Sequence, residues 1–157
     1  MRIGKPFLSV EDADTVRRVL YLNGLRGPDI EDGVQEVEVR ALERRPDGVQ
    51  SRRAWACVVA SNLAIDQLRW ADTARRATPA FAELPQKAGD PDIREAVRTG
   101  LMGLDATHRA TVVLRYYADL SIGEIASAMH VPKGTVKSRL HHAMSRLRVL
   151  LPEGSLR

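Results

Sequence analysis

Apolar side chains recur at three- and four-residue intervals along most of the chain, and nowhere does apolar alternate with polar long enough to make a strand. Val10 to Leu22 predicts a first helix, closed by the breakers Asn23-Gly24 and Gly27-Pro28. Ile30, Val34, Val37 and Ala41 form the stripe of a second. Asp29 is placed to cap it, and Glu31 and Asp32 suit the positive end of its dipole. Pro46-Asp47-Gly48 breaks that pattern, and a third helix is expected from about Arg53 to Trp70 or slightly beyond. Residues 71–95 hold Pro79, Pro85, Gly89 and Pro91 with little periodicity, the composition of a linker. Helical patterns resume near 93–103, 106–118, 121–129 and 132–151. The expected fold is all-α, two small helical domains on a flexible tether, with boundaries at 1–72, 73–95 and 96–157.

Charge sharpens this division. The net charge of +4 lies wholly in residues 101–157, where eight basic side chains face four acidic ones, and no acid occurs between Glu124 and Glu153. Such clustering is the footprint of a phosphate-binding surface, although a solvated basic helix gives the same count. No apolar run approaches the roughly 20 residues that span a bilayer, and the first residues lack a signal-peptide core, so membrane insertion is not expected and a cytoplasmic location is. Cys57 is the only cysteine, which excludes an internal disulfide and a thiolate zinc cluster; in its apolar setting it reads as a buried thiol. His108, His130, His141 and His142 have no metal-ligand partners at suitable spacing, and there is no phosphate-cradling glycine motif. An enzyme, a metal site and a cofactor are therefore not expected.

The basic segment carries its own geometry. Ser121 followed by Glu124 is a capping box, and Ile122, Ile125, Ala126 and Met129 make an inner face. His130-Val131 allows only a short turn before Pro132, which suits the first position of the next helix. There Val136, Leu140, Ala143, Met144, Leu147 and Leu151 share one side. Two helices joined so tightly cross steeply, as in a helix-turn-helix, which offers its second helix to a major groove. Lys133, Thr135, Lys137, Ser138, Arg139 and His142 are the candidate contacts: cations for guanine O6 and N7 or phosphate, hydroxyls for either. An ordinary helical hairpin is the bland alternative.

The third helix is apolar over most of its arc, yet Asn62, Asp66 and Arg69 fall in one narrow sector with Trp55 on the same side. Asn62 has donors and acceptors for an unpaired base edge, and Arg52 and Arg53 are available for phosphates. Core packing or loop cover is the simpler role for Trp55. On the second helix Asp32, Gln35, Glu36 and Glu43 form a mostly acidic face opposite the stripe, suited to a basic protein and not to DNA.

Residues 104–109, 114–117 and 120–126, and above all Gly134-Thr135-Val136-Lys137-Ser138-Arg139-Leu140, resemble region four of the extracytoplasmic-function (ECF) sigma factors. The run from Asp29 to Val37 with Arg40-Ala41, and Ala54-Trp55 with residues 60–69, resemble their region two. His130 stands where the family usually has Gly, Asp105 where it usually has Pro, and Gly33 and Glu38 where apolar residues are usual. The resemblance implies a bacterial transcription initiation factor that binds core RNA polymerase, through the largest subunit's clamp helices and the flap. It further implies reading of a duplex minus-thirty-five element by the helix-turn-helix and of the opened minus-ten strand by Arg52, Arg53, Asn62, Asp66 and Arg69. Asp32, Gln35 and Glu36 would grip the clamp, and an anti-sigma partner is expected. A helix-turn-helix regulator acting outside the polymerase accounts for residues 104–151 but not for the region-two likeness.

Overall fold

The computed structural model describes residues 4–44, 51–75 and 91–150. Its helices are α1 Val10–Leu22, α2 Pro28–Glu43, α3 Arg52–Arg75, α4 Pro91–Met102, α5 Ala106–Val112, α6 Ile122–Met129 and α7 Lys133–Leu150, and no strand occurs among the described residues. Residues 45–50 of the loop expected before α3 and residues 76–90 of the expected linker lie outside the described residues. The two ends of that linker are helical, because residues 71–75 contain no Gly or Pro and Pro91 has the fixed φ that suits a first helical position.

Local chemistry sets the helix ends. The Ser9 hydroxyl accepts from the Asp12 N–H at the start of α1. Asp29 is not the cap of α2. That helix starts a residue earlier at Pro28, after Gly27 at φ 53°, with no side-chain cap; Asp29 and Glu31 instead lie in its first turn. The segment expected as one helix over 106–118 changes pitch: Val113–Tyr117 form a π turn in which the Ala118 N–H reaches the Val113 carbonyl at 3.0 Å. The wider turn lets Val112, Val113 and Leu114 all enter the core.

Packing explains two departures seen in the sequence. A Cβ on Gly33 would lie 2.7 Å from Leu20 Cδ1, so glycine is what lets α2 press against α1. Glu38 accepts the backbone N–H groups of Phe7 and Leu8, each at 2.9 Å, and so ties the N-terminal segment to α2. Arg17 joins the same helices from outside, at 2.8 Å from both Glu31 and Asp14. Buried apolar side chains form a single cluster running through both halves of the chain, from Val16, Val37 and Ala60 to Leu114, Ile125 and Val136.

Candidate nucleic-acid interface

The helix-turn-helix is α6 and α7. Ser121 and Glu124 form the complete capping box, with the Ser121 N–H on Glu124 Oε2 at 3.0 Å and the Glu124 N–H on Ser121 Oγ at 3.1 Å. The turn pivots on His130, whose backbone is left-handed at φ 56° and ψ 44°. The Val131 N–H then returns to the Ala126 carbonyl at 3.0 Å, and α7 begins at Lys133, one residue after Pro132. Val136, Leu140, Ala143 and Leu147 fix the inner face of α7.

That burial decides what faces outward. Lys133, Lys137, Ser138 and His142 are exposed, whereas Thr135 and Arg139 are half-buried on the flank. A Cβ on Gly123 would meet Lys133 Cε at 3.5 Å, so Lys133 leans over the start of α6, where a phosphate and the helix dipole suit one another. Gly134 has open space around it. Sequence reasoning passed over His141, which is exposed with its ring 5.9 Å from that of His142; adjacency along the chain suggests different faces, but the two rings meet. Arg146 and Arg148 are also exposed and continue the basic surface.

Asp105 and His108 brace the domain behind this face. Asp105 caps α5 through the His108 N–H at 2.9 Å and pairs with the His108 ring. Burial pushes the Asp105 carboxyl up, but the His108 N–H, the His108 charge and ring, and the Thr107 N–H outweigh it and hold it below the ordinary range.

On α3, Asn62, Asp66 and Arg69 are exposed along one line, as the spacing predicted. Trp70, 76% exposed, extends that strip by a turn and was missed, because the sequence does not say which aromatic leaves the core. Trp55 packs edge-to-face on Phe7, centroids 5.4 Å apart, and lies against the core. Arg52 is exposed with its guanidinium 5.3 Å from the Phe7 centroid, and Arg53 is exposed beside it. Cys57 is fully buried, and burial raises its thiol to about 11, too high for reactivity.

On α2, Asp32, Gln35 and Glu36 are exposed, with Glu36 paired to Arg40 at 3.2 Å. The same side bears Val39 and Leu42, the latter 81% exposed. Their signal was available: both are apolar residues off the Val34–Val37–Ala41 stripe. Among the described residues no group of His, Cys, Asp and Glu could hold a metal ion, and no helix is long and apolar enough to cross a membrane.

Comparison with known proteins accounts for both halves. Residues 10–73 match the family model of sigma-70 region 2, and residues 100–149 that of sigma-70 region 4. The ECF RNA polymerase sigma factor SigL of Mycobacterium tuberculosis is 35% identical over 133 residues, 78% of this chain and 75% of its own length. SigW of Bacillus subtilis, also an ECF RNA polymerase sigma factor, is 26% identical over 75% of this chain and 73% of its own. The sigma factor RpoE of Bartonella quintana, solved with the anti-sigma factor NepR, shares the fold with a TM-score of 0.72 at 21% identity, covering 90% of this chain and 92% of that one. CnrH, solved with the cytosolic domain of CnrY, has a TM-score of 0.65 over 89% and 82% of the two chains, at 22% identity. The chain therefore belongs to the ECF sigma factors of the sigma-70 family, alternative sigma factors that act in transcription initiation.

Proposed function

We propose that this sigma factor joins core RNA polymerase through the exposed face of α2, reads a minus-thirty-five element with α7 and captures the opened minus-ten strand with α3. The observation that carries this reading is the segregation of three exposed surfaces: an acidic one on α2, a polar strip on α3 and an acid-free one on α7. Asp32, Gln35 and Glu36 supply charge and hydrogen bonds for a basic clamp, and Val39 and Leu42 add apolar area in its centre. Lys137, Ser138 and His142 face the groove, with Thr135 and Arg139 on its flank and Lys133 on phosphate. Asn62 and Asp66 offer a base edge both donors and acceptors, and Arg52, Arg53 and Arg69 follow the backbone. Opening DNA costs a few kcal/mol per extruded base, so strand capture helps only where the polymerase holds the strand beside α3.

Residues 1–72 form the polymerase and minus-ten unit in this reading, 73–95 the tether and 96–157 the minus-thirty-five unit. The 15 residues between α3 and α4 can reach about 50 Å when extended, and the helices at either end, at about 1.5 Å per residue, lengthen the span toward two elements two helical turns apart. An anti-sigma protein is the expected antagonist, since the sigma factor RpoE was solved with an anti-sigma factor and CnrH, of the same fold, with the cytosolic domain of CnrY. The working location is the cytoplasm, at the nucleoid when active. Run-off transcription with core polymerase over a genomic template library tests the proposal. Promoter-dependent transcripts above the level of core alone are expected, and their absence would falsify it. Co-purification with core separates this role from that of a free regulator.

A further inference from the structure

The basic surface of α7 continues past the part of the helix that can enter a groove. At 100° per residue, Thr135, Arg139, His142 and Arg146 fall along one flank, beside the inner face of Val136, Leu140, Ala143 and Leu147. At about 1.5 Å per residue, Arg146 lies about 16 Å along the axis from Thr135, whereas the major groove is only about 12 Å wide. With Thr135 toward the groove floor, His142 and Arg146 stand at its rim, where phosphates and not base edges are within reach.

A cleft of about 250 Å³ opens at that point, between this flank and the corner that joins α4 to α5. His142 and Arg146 line it from α7, Asp105 and His108 from the start of α5, and Gly103 from the corner. Its volume falls below the range of about 300–1,000 Å³ that suits drug-sized ligands, and fits a small group. A Cβ on Gly103 would lie 2.6 Å from Leu150 Cδ1, so glycine lets the end of α7 close on the corner. The His108 ring is set by Asp105: Nδ1 is buried against the carboxylate, which leaves Nε2 for the cleft. With Nδ1–H given to Asp105, a neutral His108 presents a lone pair there, whereas a protonated one presents a donor. Charge then decides what the cleft can hold. Arg146 and Asp105 cancel, so with neutral rings the net charge is zero; a proton on each of His108 and His142 makes it +2. The neighbouring elements add no free carboxylate. On α7 are Arg139, one turn before His142, and the His141 ring, 5.9 Å from that of His142. Arg109 of α5 is turned inward onto carbonyls, Arg98 of α4 lies over Tyr21, and Glu124 of α6 is held in the capping box.

We propose that this cleft is a phosphate seat that fills when His108 and His142 are protonated, so that binding there takes up protons and strengthens as pH falls. Histidine is the side chain that gains its charge between pH 8 and 5. A phosphate is attracted to the cationic cleft and not to the neutral one, and by reciprocity a bound phosphate holds the protons in place. The chemistry recognised is a phosphate ester, which both the backbone of a duplex and a free phosphorylated compound present. His108 sets this seat apart from the groove-facing surface, because it lies on α5 and not on the helix proposed to read bases.

The seat rests on the minus-thirty-five reading above, but its test separates the two. Holoenzyme is titrated with promoter at pH 6, 7 and 8 and constant ionic strength. Affinity is expected to rise about tenfold from pH 8 to pH 6, and His108→Gln to reduce that rise to about threefold. His142→Arg, a cation at every pH, should bind several-fold tighter than the wild type at pH 8 and flatten the profile. Identical pH profiles for the wild type and both variants overturn the seat. Imidazole NMR of the full chain identifies the source of the phosphate. Shifts of the His108 and His142 rings on adding a minus-thirty-five duplex mark the DNA backbone. Shifts with inorganic pyrophosphate but not with the duplex mark a free phosphorylated compound, and rings that neither probe moves overturn the proposal. Pyrophosphate that moves both rings supports the seat even where no promoter binds at any pH, a result that sinks only the two-element reading.

Discussion

His130 shows how one backbone angle can conflict with a side chain. The tight turn between α6 and α7 needs a left-handed residue, and histidine occupies that conformation at a cost that glycine avoids. Part of the gain from glycine is offset by its greater freedom in the unfolded chain. His130→Gly is therefore expected to stabilise the protein by about 0.5–1 kcal/mol, read as a rise in the denaturation midpoint. No change, or a fall, would mean that the imidazole makes an interaction worth the strain. Gly134 presents the converse case. It lies in the first turn of α7 with no protein atom near the place of a Cβ, so packing gives no reason for glycine. The proposed approach of DNA to α7 does. Gly134→Ala should raise stability by up to about 1 kcal/mol, the helix-propensity difference, and yet weaken binding to a minus-thirty-five duplex several-fold. Equal or tighter duplex binding would place the groove elsewhere on α7.

The elements were largely legible because their signals are local. The apolar stripes of α1 and α2, the capping box of α6 and the inner face of α7 each depend on residues three or four apart. What escaped the sequence depends on backbone conformation and on how the core is shared. The start of α2 at Pro28 hangs on the backbone of Gly27, the π turn after α5 on how three consecutive residues share one core, and the fit of Gly33 on Leu20 thirteen positions earlier. Of the candidate sites, the α3 line and the acidic α2 face followed from periodicity, while the exposure of Trp70, Val39 and Leu42 needed the packing to be seen. Leu42 gives α2 a test that separates binding from folding. Leu42→Asp alters a side chain that contributes almost nothing to the core, so stability should stay within about 0.5 kcal/mol. Affinity for core polymerase should fall at least fivefold, by titration of labelled factor. Unaltered affinity would remove Leu42 from the clamp contact.

Across the whole molecule, charge is sorted by partner. The first 100 residues are neutral with acids grouped on α2, and the last 57 carry the entire excess of positive charge. In the proposed reading a basic clamp and an anionic duplex are thus met by opposite ends of one chain, and neither surface attracts the other's target. This separation has a measurable signature in salt. Removing a cation that sits on a phosphate makes the slope of log affinity against log salt shallower by about one. Lys133→Ala and Arg148→Ala should each reduce that slope for promoter binding by the holoenzyme, with core affinity unchanged. Glu36→Gln should weaken core capture and leave the promoter slope of the assembled holoenzyme as it was. Both quantities come from titrations, of core with factor and of holoenzyme with promoter, each repeated from low to high salt. A basic-residue variant with weakened core affinity, or an acidic-residue variant with an altered promoter slope, would show that both partners share one surface. The exposed positions of these side chains, on α7 and α2 respectively, place them on separate helices and predict the opposite.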